Sequence, residues 1–367
     1  LINIIDPNLS ELNFYNYKFY HTLKNYKKKK LKIFCNKKIS SSILKKKELY
    51  PKFNLDLNPR VLKNYKKKYF KSKKQFLSDL NNIDIKNGPI LLYNTTLPYI
   101  DALTEWQIKK KYSSNLYIEY PTILNKAIND DLIFEKNRCK MIKNRIKKNN
   151  KVFFITHFEF SKKRIYQLFS RPVIVAKLPL NMAMYNIKKK INKKKIILSF
   201  IGEQRTNKGL NFLKEIIINL NSKKYNFIVH NPKKSKRLNS LVKKKLNTKI
   251  EKKTFNLKNW IKFINKSDIV IFPYNPNRYK YGYSGSLIDA ILLEKICIVP
   301  DETVLSSIIS KKLKRFSFFS KWESKNISNT ITKVFKNLNK TKNLFQLNSK
   351  DFILKQKRYP KIIDVVK

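Results

Sequence analysis

The sequence predicts an α/β protein built from two Rossmann-like domains, each a parallel β-sheet covered by helices. Short apolar runs rich in Ile, Val and Phe alternate with longer segments of helical apolar spacing along most of the 367 residues. Such alternation is typical of parallel sheets, because a crossover helix carries the chain from one strand to the next. A proline and a polar, lysine-rich tract interrupt the series at 178–195 and indicate the join between the two domains.

The first domain is expected over residues 1–180. Its strands are predicted from short runs of apolar residues at 2–5, 31–35, 90–93, 116–119, 152–156 and 173–176. Helices are predicted between them at 10–25, 61–80, 101–111, 123–148 and 161–169.

The second domain is expected over residues 191–340. Its predicted strands lie at 196–201, 225–230, 269–272 and 296–299. Its predicted helices lie at 210–220, 235–246, 256–266, 285–294 and 321–338. The remaining tail, 341–367, is expected to contain a helix interrupted by Pro360 and to pack back against the first domain.

The charge of the chain is extreme, with 82 basic and 24 acidic residues and a formal net charge of +58. Such a charge usually indicates a polyanionic partner. Here lysine runs occur in every region and accompany abundant Asn and Ile, a profile typical of an AT-rich genome. We therefore expect no nucleic-acid partner, although nucleic-acid binding remains an alternative. A weak contact with anionic membrane is expected, at about 1 kcal/mol per basic residue near the surface.

The three cysteines are far apart in sequence and form no metal-binding or disulfide pattern. No apolar run approaches the roughly 20 residues of a membrane span, and the N-terminus does not resemble a signal peptide. These features predict a cytoplasmic protein, peripheral at most on the inner face of the membrane, with no metal and no cofactor.

Glycine is rare, and four of the five glycines fall in two predicted strand-to-helix loops: Gly202 and Gly209 in one, Gly282 and Gly285 in the other. Glycine is kept where the backbone needs positive φ or where another group approaches the main chain closely.

The second loop ends in Ser284-Gly285-Ser286 at a predicted helix start. Free N–H groups and the positive end of the helix dipole suit a phosphate or pyrophosphate there. Arg205 and Arg278 lie beside the two loops and have the fork geometry that matches phosphate oxygens. Asp289, one turn into the helix, is placed to accept hydrogen bonds from a ribose.

Two further candidates lie in the first domain, where two predicted strands end. Glu119 closes the strand at 116–119, and His157 follows the strand at 152–156. Ligands of such sheets gather at the carboxyl ends of the strands. We expect these side chains to orient a hydroxyl of the donor or of the acceptor.

Three segments of the second domain resemble glycosyltransferase family 4, the glycogen synthase-like group 1 enzymes of GT-B fold. The first is Leu198-Ser199-Phe200-Ile201-Gly202 with Asn207-Lys208-Gly209. The second is Ser267-Asp268-Ile269-Val270-Ile271-Phe272-Pro273-Tyr274, and the third is Tyr283-Ser284-Gly285-Ser286-Leu287-Ile288-Asp289-Ala290 with Cys297-Ile298-Val299-Pro300-Asp301. The resemblance covers about residues 190–340; over 1–180 it is architectural.

The resemblance implies a hexosyltransferase-like enzyme that moves a sugar from a nucleoside-diphosphate sugar to a glycan or lipid-linked acceptor, with retention of anomeric configuration. It implies that Arg205 and Lys208 face the diphosphate together with Gly202 and Ser284 to Ser286. Asp289 would replace the ribose-binding Glu of the family. The acceptor would bind mainly to the first domain, with transfer in a cleft between the domains.

The sequence departs from the family pattern in several places. Glu294-Lys295-Ile296 replaces the usual Gly-Lys-Pro, and the loop after the first strand has no glycine. Two further departures lie in the motifs of the proposed site. Tyr281 stands where the first motif Glu is expected, and Glu203 stands where Arg follows the glycine. These departures motivate an alternative, a GT-B protein that binds a nucleotide sugar or glycan without turnover.

Overall fold

The computed structural model describes residues 1–7, 9, 14–23, 30–37, 49–53, 65–85, 87–120, 130–180, 182–187, 195–220, 225–232, 247–280 and 282–367. The predicted helix at 235–246 and the motif position Tyr281 lie outside the described residues. The contacts divide the chain into two compact units, residues 1–181 with 357–367 and residues 182–356.

The first unit contains a seven-stranded parallel sheet. Its strands are β1 (Ile2–Asp6), β2 (Leu31–Asn36), β3 (Leu49–Phe53), β4 (Ile90–Leu92), β5 (Leu116–Glu119), β6 (Val152–Thr156) and β7 (Val173–Val175). Their spatial order is β3-β2-β1-β4-β5-β6-β7. The sequence did not predict β3, an edge strand with a central proline and three exposed residues.

Helices of the first unit connect these strands. They are α1 (Phe14–Leu23), α2 (Tyr65–Asn81), α3 (Leu97–Lys109), α4 (Asp130–Ile146) and α5 (Glu159–Phe169). The C-terminal residues complete the unit, since Lys177 N–H donates to Pro360 O at 2.7 Å. Ile362 and Val366 are buried in the same core as Ile4.

The second unit contains a six-stranded parallel sheet. Its strands are β8 (Ile196–Phe200), β9 (Tyr225–His230), β10 (Thr248–Glu251), β11 (Ile269–Ile271), β12 (Ile296–Pro300) and β13 (Phe318–Phe319). Their spatial order is β10-β9-β8-β11-β12-β13. The unpredicted strands β10 and β13 are the two edges; β10 is half polar and β13 has two residues, so neither carries a long apolar run.

The second unit has eight described helices. Four lie where helices were predicted, at 210–220, 256–266, 285–294 and 321–338; three short ones were not predicted, and the last corresponds to the predicted tail helix. They are α6 (Leu213–Asn219), α7 (Leu257–Asn265), α8 (Pro276–Tyr279), α9 (Gly285–Leu292), α10 (Val304–Ile308), α11 (Lys314–Ser317), α12 (Ser324–Lys336) and α13 (Leu338–Arg358), and α14 (Ile362–Val365) lies in the first unit. Two parallel-sheet α/β units therefore confirm the predicted fold class. Among the described helices, none combines the length and the apolar character needed to cross a membrane.

A buried carboxylate joins three helices of the first unit. Asp101 of α3 is fully buried and accepts hydrogen bonds or ion pairs from α2 and α4. Its partners are Tyr69 Oη at 2.7 Å, Lys73 Nζ at 3.0 Å, Arg145 Nη1 at 2.7 Å and Arg138 Nη2. Burial raises the pKa of Asp101, but the hydrogen bonds from these donors outweigh burial and lower the pKa from 3.8 to about 2.

Replacing Asp101 with Asn should destabilise the first unit by about 3 to 5 kcal/mol, because buried cations lose their countercharge. The folded pKa lies below that of the unfolded chain, so the stabilisation is present above about pH 4 and is lost as pH falls toward 2. Urea unfolding of wild type and D101N at pH 7 and pH 3 measures both effects. A difference between the two proteins that does not shrink at pH 3 would contradict this account.

Candidate functional site

The order of strands in the second sheet places a topological switch point between β8 and β11. From β8 the chain proceeds outward to β9 and β10, then returns to the other side of β8 with β11 and continues to β12 and β13. β8 and β11 are paired in parallel, with Phe200 opposite Ile271. In open α/β sheets, ligands bind outside the carboxyl ends of the strands at such a point. The two glycine loops follow these two strands.

The structure brings the two glycine loops together. Gly202 has φ +81°, and a Cβ atom built on it would lie 3.5 Å from Lys208 Nζ and 3.9 Å from Ser286 Oγ. Lys208 comes from the first loop and Ser286 from the first turn of α9. The Lys208 ammonium and the Ser286 hydroxyl therefore both lie near the main chain at Gly202, where no side chain intervenes.

Three consecutive residues after β11 hold three consecutive residues of the first loop. Asn275 N–H donates to Asn207 O at 3.0 Å. Lys208 Nζ lies 5.1 Å from the centroid of the Tyr274 ring. A Cβ atom on Gly209 would lie 2.4 Å from Pro273 O, so only glycine permits this approach. We call this arrangement the loop clamp: residues 207–209 held by residues 273–275.

The Tyr274 ring positions the Lys208 ammonium. Tyr274 is 2% exposed and packs against Tyr279 at 4.4 Å between centroids and against Phe272 at 5.5 Å. Its hydroxyl has no hydrogen-bond partner among the described residues. The interaction of this ring with Lys208 is therefore a cation–π contact between the ring face and the ammonium group. Sequence reasoning did not single out Tyr274; its place directly after the strand and Pro273 was the available signal.

The start of α9 is open. Ser284 is the N-cap residue with an extended backbone and no side-chain capping bond, and Gly285 has open space where a Cβ would stand. The first-turn N–H groups of a helix have no intrahelical acceptors, and this end of the dipole is positive. Ser284, Gly285 and Ser286 thus lie as predicted at a helix N-terminus beside Gly202 and Lys208.

The predicted arginines have different settings. The guanidinium of Arg205 forms an ion pair with Glu203 two residues earlier, and the Arg205 side chain is 57% exposed. The hydrogen bond to Glu203 raises the pKa of Arg205. Arg278 lies in α8, whose N-cap Asn275 belongs to the loop clamp. Gln204 is buried and donates to Gly202 O at 2.9 Å, which stabilises the turn.

Asp289 does not face outward as the sequence led us to expect. It is 3% exposed, and its carboxylate accepts hydrogen bonds from Tyr185 Oη at 2.6 Å and from Trp260 Nε1 at 3.0 Å. Burial and the neighbouring Asp289 raise the pKa of Tyr185. Tyr185 lies in the segment interpreted as a linker, 104 residues away in sequence, which local patterns do not connect to α9.

Glu119 and His157 are also interior, contrary to the expected orientation. Glu119 ends β5 and His157 directly follows β6, the neighbouring strand. Both side chains are fully buried, and His157 Nε2 is 3.3 Å from Glu119 Oε1. His157 Nδ1 lies 2.9 Å from Ala176 O, and Glu119 Oε2 accepts from Asn94 N–H at 2.8 Å. Asn94 has a positive φ of 50°. The pair therefore fixes the chain that follows β4 and β7.

Gly209 and Gly285 should respond very differently to alanine. G209A should cost about 2 to 4 kcal/mol, because the methyl group overlaps Pro273 O and the positive φ of 78° strains any side chain. G285A meets nothing within 4 Å and should change stability by less than about 1 kcal/mol. Thermal unfolding of the two variants tests the loop clamp; equal losses would show that the Gly209 contact is not a constraint.

The chain resembles known proteins in fold and not in sequence. No protein-family model and no curated protein sequence matches the chain. Solved structures do match. HepE (Alr3699) from Anabaena, in complex with UDP, has a TM-score of 0.65 and 10% identity over 99% of this chain and 96% of its own.

Two other structures are similar to a comparable degree. A glycosyltransferase from Rickettsia africae has a TM-score of 0.64 and 12% identity over 96% of this chain and 93% of its own. The trehalose-6-phosphate structure from E. coli bound with UDP-2-fluoro glucose has a TM-score of 0.67 and 9% identity over 97% of this chain and 95% of its own. At such identity the likeness shows a common fold, and the chain has the GT-B fold of two Rossmann-like domains.

Proposed function

We propose that this protein is a glycosyltransferase that moves a sugar from a UDP-sugar to a glycan or lipid-linked acceptor. The observation that carries the proposal is the convergence of Lys208, Ser286 and the start of α9 on Gly202 at the switch point of the second sheet. This arrangement offers an ammonium, a hydroxyl, helix N–H groups and bare main chain to one diphosphate. HepE, of the same fold, was solved with UDP and with UDP-glucose, which supports uracil as the base and a hexose as the sugar.

The proposed chemistry is electrostatic. When the bond between the sugar and the diphosphate breaks, negative charge develops on the departing phosphate oxygens. Lys208 and the N-terminus of α9 would stabilise that charge through groups that are already oriented before the reaction. Arg205 and Arg278 would add charge at the edge of the same site. The resemblance to family 4 supports retention of anomeric configuration.

The buried polar residues would act indirectly. Asp289 would hold Tyr185 and Trp260 in place beneath α9, so that its effect on the donor passes through those partners. Glu119 and His157 would fix the loops on the first unit, where we propose that the acceptor binds. A peripheral location on the anionic inner face of the membrane is part of the proposal and fits a lipid-linked acceptor.

UDP binding tests the proposed site directly. Calorimetric titration should detect UDP, while K208M should weaken binding about 10- to 100-fold, because a charge-assisted hydrogen bond to phosphate is lost. K214M, on the exposed surface of α6, removes the same charge and should bind UDP like wild type. Equal affinities in K208M and wild type would remove Lys208 from the site. GDP and ADP serve as comparisons for the base.

Turnover separates transfer from binding alone. Incubation with UDP-glucose should release UDP slowly, and faster in the presence of a glycan or lipid-linked acceptor. Tight UDP binding without hydrolysis or transfer on a panel of donors and acceptors would favour the alternative of a binding protein without turnover. The departure from the family pattern at Glu203 motivates that alternative. Salt-dependent DNA binding without UDP affinity would favour a nucleic-acid-binding protein.

The role of Tyr274 in positioning Lys208 can be measured separately. Y274L removes the ring face and should weaken UDP binding about two- to fivefold, the size of a modest cation–π contact. Y274F keeps the ring and loses only a hydroxyl without a partner, so it should bind like wild type. In a K208M background, Y274L should have no further effect. Additive losses in the double variant would show that Tyr274 acts by another route.

A further inference from the structure

A strongly basic hollow lies on the second unit, on part of the chain that the proposed donor site does not use. It encloses about 640 Å³ and is lined by Lys311, Lys312, Lys314, Arg315, Lys340 and Leu344. The first four residues belong to a short 3₁₀ turn (Lys311–Leu313) and to α11, and the last two belong to α13. Two separate stretches of sequence thus contribute cations to one depression, which we call the basic hollow.

Buried apolar residues fix the orientation of these cations. Leu313 is fully buried and Phe316 is 8% exposed, so both face the core. Ser317 Oγ donates to Leu313 O at 3.1 Å and holds the turn. Ser310 N–H donates to Asn348 Oδ1 of α13 at 2.7 Å, which ties the turn to that helix. The lysines and the arginine between these anchors consequently face solvent.

The cations of the basic hollow are close together and largely without countercharge. The Arg315 guanidinium lies 4.6 Å and Lys340 Nζ lies 6.0 Å from the centroid of the same Phe316 ring. Asp301 Oδ2 pairs with Lys314 Nζ at 2.8 Å. Among the described residues, no carboxylate pairs with the other four cations. Mutual repulsion of these groups would be relieved by a multiply charged anion.

Exposed leucines continue from the basic hollow along α13. Leu347 is 57% exposed and Leu354 is 54% exposed, and both share a helix face with Lys340 and Leu344. Asp351 is the acidic residue on this face. We call Leu344, Leu347 and Leu354 the leucine stripe. Apolar side chains beside cations match the boundary between phospholipid head groups and acyl chains. A free phosphate would bind the cations without contacting the leucines.

We propose that the basic hollow and the leucine stripe form a docking surface for a bilayer that contains anionic phospholipids. Head-group phosphates would enter the basic hollow, with the Arg315 fork and the lysine ammonium groups as donors. The leucine stripe would lie at the acyl boundary. This inference locates the peripheral membrane contact of the proposed function and does not depend on donor turnover.

The general basicity of the chain calls for a control of equal charge. The test variant replaces Lys311, Lys312, Arg315 and Lys340 with Gln. The control variant replaces Lys136, Lys140, Lys147 and Lys148, exposed residues on and directly after α4, with Gln. Both variants lose four charges, so any difference between them reports position and not net charge. Thermal unfolding confirms that both remain folded.

Co-sedimentation with phosphatidylcholine vesicles, with and without phosphatidylglycerol, measures docking. Wild type should bind only the anionic vesicles, and the test variant should bind them up to about 1,000-fold more weakly at low ionic strength. The control variant should retain most of the affinity. Equal losses in the two variants would overturn the proposal, because binding would then follow net charge alone.

A second pair of measurements distinguishes a membrane from other polyanions. L347Q with L354Q should weaken vesicle binding and leave the affinity for inorganic polyphosphate unchanged. If vesicle binding does not depend on the leucines, or if polyphosphate or DNA binds the basic hollow more tightly than the vesicles, the membrane assignment is wrong. UDP affinity should be the same in all these variants. If the wild-type protein does not bind UDP, the proposed donor site is wrong, but the vesicle-binding result still stands.

Discussion

The close contact between Gly209 and Pro273 is the constraint on which the candidate site depends. It brings the main chain after β8 against the main chain after β11 at a distance that no side chain permits. With this approach fixed, Lys208 lies over Tyr274, and both its ammonium and the Ser286 hydroxyl lie beside Gly202. Both loops extend directly from paired strands of the sheet, so the position of the Lys208 ammonium is restricted by the sheet. A site that must stabilise developing charge needs this kind of advance orientation.

Buried carboxylates organise both units. Asp101, Glu119 and Asp289 are nearly or fully inaccessible, and each accepts hydrogen bonds from segments far away in sequence. The chain has only 24 acidic residues against 82 basic ones, so these three buried positions hold a notable share of the few carboxylates. Removing one partner of such a group leaves an uncompensated polar or charged atom in the core. The acids therefore fix helices and loops, while the cations dominate the surface.

The parallel sheets were largely predictable because buried strands have long apolar runs that contrast with their neighbours. The central strands of both sheets coincide with predicted ones to within a residue or two. The strands β3, β10 and β13 were missed because edge strands are short, partly exposed and interrupted by polar residues or proline. The glycine loops were recognised from composition alone, since glycine is so rare that its positions stand out.

The sequence by itself determined the α/β class, the succession of most strands and helices, and the two glycine loops in which the backbone is accessible to a ligand. Local spacing is enough for these features, because strand and helix periods and glycine positions are properties of short segments. Only the tertiary structure decided which polar side chains face the loops and which face the interior. Tyr274 proved to support Lys208, while Asp289, Glu119 and His157 proved to be buried. Their partners, among them Tyr185 at 104 residues from Asp289, meet them only when the chain is folded, so no local pattern could reveal the contact.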